Sequence, residues 1–113
     1  MTEVHPQLGL TTLCFSRREL VFNGHEIRLT TREFQTIAAL AERFGDIVSR
    51  DELSLRLYGV EWNGTARSVD MCVGRLRKKL KFWTAHGLQI RTVRSGGYFL
   101  VAQGDRMLVS LKT

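Results

Sequence analysis

A chain of 113 residues, 43% hydrophobic and 25% charged, has the balance of an ordinary globular protein with a packed core, which excludes a disordered tail. No apolar run reaches the roughly twenty residues that a bilayer crossing needs, so no membrane span is expected. With 17 Lys and Arg against 11 Asp and Glu, the net charge of +6 calls for an acidic partner, and charge alone does not choose among nucleic acid, an anionic surface and an acidic protein.

The first ten residues, MTEVHPQLGL, lack the cationic start and apolar stretch of a secretory signal, so a cytoplasmic location is expected. A short strand is predicted over residues 13–15. The segment ELVFNGHEIRL then reads as a hairpin, with Asn23 and Gly24 supplying the two positive-φ residues of a type I′ turn. That turn sets a register in which Phe22 pairs with His25, Leu20 with Ile27, and Glu19 with Arg28. Helical spacing follows at once. Thr30 and Glu33 form a capping box, Phe34, Ile37, Ala38, Ala41 and Phe44 mark the buried face, and Gly45 is expected to end the helix. Ser49 and Glu52 form a second capping box for a short helix with Leu53 and Leu57 one turn apart, stopping near Gly59.

After a loop over residues 60–66, with Asn63 or Thr65 as the expected cap, the sequence RSVDMCVGRLRKKL begins a third helix, predicted over about residues 66–83. Val69, Val73, Leu76, Leu80 and Trp83 recur at helical spacing and form one narrow apolar stripe. Arg67, Met71, Gly74, Arg75, Lys78 and Lys81 fall on the opposite side, where nothing in the helix itself requires positive charge. A helix with a buried seam and a cationic outer stripe is the physical device for entering a DNA groove; a merely solvated basic face is the competing explanation. Farther on, the β-rich runs IRTV and YFLV flank Arg94, Ser95, Gly96 and Gly97, a second hairpin with an arginine at its tip. Residues 103–113 alternate weakly, as an extra strand or a tail. The expected fold class is α+β, a winged helix-turn-helix in a single domain spanning residues 1–113, with its core over about residues 13–102.

Catalysis finds no support. His5, His25 and His86 are scattered, Cys14 and Cys72 have no metal-ligand spacing, and no glycine-rich loop precedes a lysine, so no enzyme activity, metal or cofactor is expected. Both cysteines are expected to be reduced and partly buried.

Four stretches in order, LTTREF, GDIVSRDEL, RSVDMCVGRLRKKL and IRTVRSGGY, resemble the DNA-binding effector domain of OmpR/PhoB-type response regulators. The resemblance implies an N-terminal antiparallel sheet, three helices and a C-terminal β-hairpin wing, with the third helix in the major groove and the wing tip near the minor groove. It further implies double-stranded DNA as partner in bacterial two-component regulation, a homodimer on repeated half-sites, and an RNA polymerase contact in the loop after the second helix, at Tyr58, Glu61, Trp62 and Asn63. The sequence departs from the family at Cys72, where an imidazole is common, at Gly74, usually polar or basic, and at Ser95, in place of the first glycine of the wing turn. The family's full-length members carry a receiver domain, for which 113 residues leave no room, so either an excised domain or a stand-alone regulator is expected.

On this reading Arg75 bonds guanine O6 and N7, Met71 meets a thymine methyl, and Gly74 allows close approach. Arg67, and after it Lys78, are the further candidates to reach base edges from the outer face, with Lys78 also suited to a phosphate contact. Arg77 and Arg50 clamp phosphate, and Arg94 enters a narrow minor groove. Asp70, which would repel phosphate, is expected to serve the positive end of the helix dipole. The alternative is a winged-helix module that docks an acidic protein without specific DNA binding.

Overall fold

The computed structural model describes residues 9–22, 24–62, 67–94, 96–102 and 107–112. In chain order these form β1 (Gly9–Cys14), β2 (Glu19–Phe22), β3 (His25–Arg28), α1 (Thr31–Glu42), β4 (Val48–Ser49), α2 (Arg50–Tyr58), α3 (Ser68–Lys79), α4 (Lys81–Ala85), β5 (Leu88–Val93), β6 (Gly97–Ala102) and β7 (Met107–Lys112).

Two sheets flank the helices, one ordered β3-β2-β1-β7 and the other β4-β6-β5. The β2–β3 hairpin has the register set by its turn, Glu19 with Arg28, Leu20 with Ile27 and Phe22 with His25. Gly24 has φ 81°, while Asn23 lies outside the described residues. β1 is longer than expected and pairs antiparallel with β2. The stretch after residue 106 is a strand: β7 lies parallel to β1 over six residue pairs, making an otherwise antiparallel sheet mixed.

Both capping boxes are present, with Thr30 and Glu33 opening α1 and Ser49 and Glu52 opening α2; each pair exchanges side chain for backbone N–H. α2 ends at Gly59 in the left-handed conformation. α1, however, stops at Glu42 instead of running on to Gly45. Gly45, at φ 87°, lies three residues beyond and gives its amide to Leu100 O at 2.9 Å, so it turns the chain toward β6. Phe44 is therefore off the helical face and 43% exposed.

The third helix departs from expectation at both ends. α3 starts at Ser68, with Arg67 at the cap position and no side-chain cap hydrogen bond from it; Asn63 and Thr65, the expected caps, lie outside the described residues. At Leu80, with φ −93° and ψ 19°, the helix is interrupted, and α4 follows from Lys81. The break reconciles two demands. Val69, Val73, Leu76, Leu80 and Trp83 all stay in the core, while Phe82 turns onto the β2–β3 hairpin and stacks on His25 with ring centroids 3.7 Å apart. Trp83 is 1% exposed, and its indole N–H has no partner among the described residues. The core otherwise joins Leu13 and Leu20 of the first sheet to Ile37, Leu40, Leu53 and Leu100. Burial of a side chain of this size stabilises the fold by about 1.5–3 kcal/mol each.

Candidate nucleic-acid interface

Which cations are free follows from where the carboxylates lie. Glu19 neutralises Arg17 and Arg28, Glu42 takes both nitrogens of Arg56, Glu52 takes Arg43, and Glu33 takes Lys79 at 2.7 Å. These pairs hold strand to strand, α1 to α2, and α1 to α3. By contrast, Arg67, Arg75, Lys78, Lys81, Arg91 and Arg94 are exposed and form no ion pair with a described residue. The first four lie on the side of α3 and α4 opposite the buried stripe, and the last two on β5 and the turn beyond it. Met71 stands among them, 52% exposed. Gly74 is half-buried on the same helix, and a Cβ there would meet nothing within 4 Å.

Two expected site residues sit differently. Arg50 is turned inward: Nε bonds Asp70 Oδ1 at 3.0 Å, Nη2 donates to Tyr98 Oη at 3.4 Å, and its guanidinium lies over the Tyr98 ring at 4.8 Å. Arg77 is spent on the edge of β5, donating from Nη2 to Ile90 O at 2.6 Å and to Thr92 Oγ1 at 2.8 Å. A groove of about 340 Å³ lined by Arg77, Lys81, Thr84, Gln89 and Ile90 follows this seam. Asp70 lies in the first turn of α3, as expected of a carboxylate serving the helix dipole, and also accepts the Tyr98 hydroxyl and Arg50. Burial works to raise the Asp70 pKa, but the Tyr98 hydroxyl and the Arg50 guanidinium outweigh it and hold the carboxyl below its usual value. Burial and the Asp70 carboxylate both push the Tyr98 phenol up. These contacts span 20 and 28 residues of sequence, beyond the reach of helical or hairpin periodicity.

Tyr58, expected in the loop after the second helix, is instead the last residue of α2 and is half-buried. Its hydroxyl lies 3.2 Å from Cys72 Sγ, and the Arg32 guanidinium covers its ring at 4.2 Å. The residue thus ties α2 to α3. Glu61 is exposed, Trp62 gives its amide to Asp51 Oδ1 at 2.9 Å, and Asn63 lies outside the described residues. Cys14 and Cys72 are free thiols, and Cys72 is fully buried against that tyrosine. Among the described residues no group of three or more His, Cys, Asp or Glu could hold a metal, and no helix is long and apolar enough to cross a membrane.

The wing turn depends on glycine. Gly97 has φ 145°, and a Cβ there would stand 2.1 Å from Val48 O, so only glycine lets β6 lie against β4 at this point.

A family model described as transcriptional regulatory protein, C terminal, matches residues 24–100. Among curated proteins, the transcriptional regulatory protein RstA of Escherichia coli is 40% identical over 90 residues, covering 80% of this chain and 38% of that protein. VxrB of Vibrio cholerae is 40% identical over 91 residues, covering 80% and 35%. The chain thus spans under half the length of these curated relatives. Among solved structures, the RstA DNA-binding domain of Klebsiella pneumoniae in complex with its RstA box superposes with a TM-score of 0.70 at 36% identity, covering 79% of this chain and 88% of that one. The DNA-binding domain of CpxR from Escherichia coli gives 0.70 at 32%, covering 77% and 85%. The chain belongs to this family of C-terminal domains of transcriptional regulatory proteins, the OmpR/PhoB-type winged-helix effector domains.

Proposed function

We propose that the chain binds double-stranded DNA in a sequence-specific manner as the effector part of a transcription regulator, with α3 in the major groove and Arg94 near the minor groove. The observation that carries this reading is the segregation of charge: apart from Lys79, which Glu33 holds, and Arg77, which bonds β5, the exposed cations of α3, α4 and the wing lack acidic partners among the described residues, whereas most cations on the first sheet and the α1–α2 face are paired. A face of unpaired cations costs self-repulsion, which a polyanion relieves with release of condensed counterions. The RstA domain solved with its box has the same fold, and that likeness supports the same use of it.

Within this reading Arg75 and Met71 read base edges, Arg67 and Lys78 hold phosphate, and Gly74 leaves the bases accessible. Arg77 and Arg50 act on the interface indirectly, by shaping it. The described residues act as one folding unit. Two copies on repeated half-sites are needed, because one module covers only about 600–1,000 Å² of DNA-facing surface. Glu61 and Trp62 are the residues offered to RNA polymerase, and the setting is the bacterial cytoplasm.

Arg75→Ala is expected to weaken binding by about 1–3 kcal/mol and to relax preference at one base position. Lys78→Ala is expected to weaken all sequences alike and to lower the salt slope by about 1. Selection of duplexes from a random pool, followed by titration at several salt concentrations, measures both. Binding that is indifferent to salt, or two variants with the same profile, sinks the assignment and leaves the docking of an acidic protein in its place.

A further inference from the structure

The wing and the third helix belong to different parts of the chain, yet they touch DNA together only if their relative angle is held. We infer that Tyr98, through Asp70 and Arg50, is a positioning residue that locks the wing to α3, so that the two grooves are read as one unit. The inference rests on the DNA-binding reading above.

Tyr98 is the second residue of β6, directly after the wing turn, and is 3% exposed. Its hydroxyl donates to Asp70 Oδ1, in the first turn of α3, and the same oxygen accepts from Arg50 Nε at 3.0 Å. One carboxylate oxygen therefore joins the starts of α2 and α3 to the base of the wing. Tyr98 is also faced by two guanidinium groups, Arg50 at 4.8 Å and Arg77 at 5.7 Å from the ring centroid. Arg77 then reaches past it to Ile90 O and Thr92 Oγ1 on β5.

The hairpin is thus tied to α3 at two residues, 70 and 77, which lie about 10 Å apart along the helix. A single tie would leave a pivot. Two ties fix tilt and rotation, and directional hydrogen bonds resist the sliding that apolar packing alone permits. The arrangement also disposes of Asp70. Its carboxylate stands at the entry to a cationic helix and would repel phosphate, but here Arg50 neutralises it. Holding both elements in place before DNA arrives lowers the ordering cost of binding.

Tyr98→Phe keeps the ring and removes the lock. In the unmodified chain Arg94→Ala is expected to cost about tenfold in affinity; in the Tyr98→Phe background the same change is expected to cost about twofold, since a loosened wing contributes less. Hydrogen exchange is expected to quicken at the amides of residues 71–73 and 97–100 together, with those of residues 19–22 unchanged. Asp70→Asn serves in the same two measurements should Tyr98→Phe not fold. Equal cost of Arg94→Ala in both backgrounds, or unaltered exchange at residues 71–73, overturns the lock even if the variant melts at a lower temperature. An unmodified chain that binds no duplex at any salt concentration overturns the DNA reading instead, and the exchange measurement then decides the lock by itself.

Discussion

Gly74 lets stability and the proposed role in recognition be tested in one substitution. In a helix interior glycine is about 1 kcal/mol less favourable than alanine, because its backbone loses more freedom on folding. Nothing within 4 Å would obstruct a Cβ at this position, so packing does not demand glycine. Gly74→Ala is accordingly expected to raise stability by about 1 kcal/mol in urea unfolding. If the bare backbone serves close approach to bases, affinity for the selected duplex falls in the same variant. Higher stability with unchanged affinity would make Gly74 a residue without a role in recognition. Gly97 is the opposite case, since its missing Cβ is required by Val48 O and its φ is closed to most side chains.

At the scale of elements, the features legible in the sequence are those whose chemistry is local. Capping boxes act over three residues, the β2–β3 register follows from a tight turn at Gly24, and the stripe from Val69 to Trp83 follows helical spacing, so each was readable from the residues alone. What was not legible joins distant segments: Arg50 with Asp70, Tyr98 with Asp70, and Arg77 with Ile90. The break at Leu80 belongs with these, because a hairpin more than fifty residues away receives Phe82. Glu33 combines both kinds. It closes the α1 capping box locally and also holds Lys79 of α3, with only 5% of its side chain exposed. Burial works to raise its pKa, but Lys79 and the Thr30 amide prevail and hold it below the usual 4.5. A carboxylate depressed in the folded state stabilises fully above the unfolded value and loses that contribution as pH falls through the folded one. Stability is therefore expected to decline below about pH 4.5 as Glu33 and Asp70 take up protons. Glu33→Gln should cost about 2 kcal/mol at pH 7 and progressively less as acid protonates Glu33 itself, measured by urea unfolding from neutral to acid pH. A penalty that does not change with pH would assign Glu33 to shape rather than charge.

For the whole molecule, the decisive contact is the most distant in sequence. β7 returns to lie beside β1, and Phe15 N donates to Lys112 O at 2.8 Å to extend the pairing. Without β7, β1 would be an edge strand with a row of unpaired N–H and C=O groups, a ready template for a second chain. Val109 also packs partly buried against the core, so the strand contributes apolar cover as well as hydrogen bonds. The wing and α3, held by Asp70 and Arg77, make no use of β7 in the contacts described above. Deleting residues 103–113 is therefore expected to separate stability from recognition. Unfolding should come at least about 10 °C lower, the equivalent of roughly 2 kcal/mol in a domain of this size, and sedimentation should show self-association through the exposed β1 edge. Below the lowered transition, the monomeric fraction should still select the same duplex sequence, because the proposed reading surface draws on residues 67–94 and none of β7. Loss of sequence preference in the folded, truncated chain would mean that β7 holds the reading surface itself, and that the two sheets are mechanically joined through the core rather than separately responsible for stability and recognition.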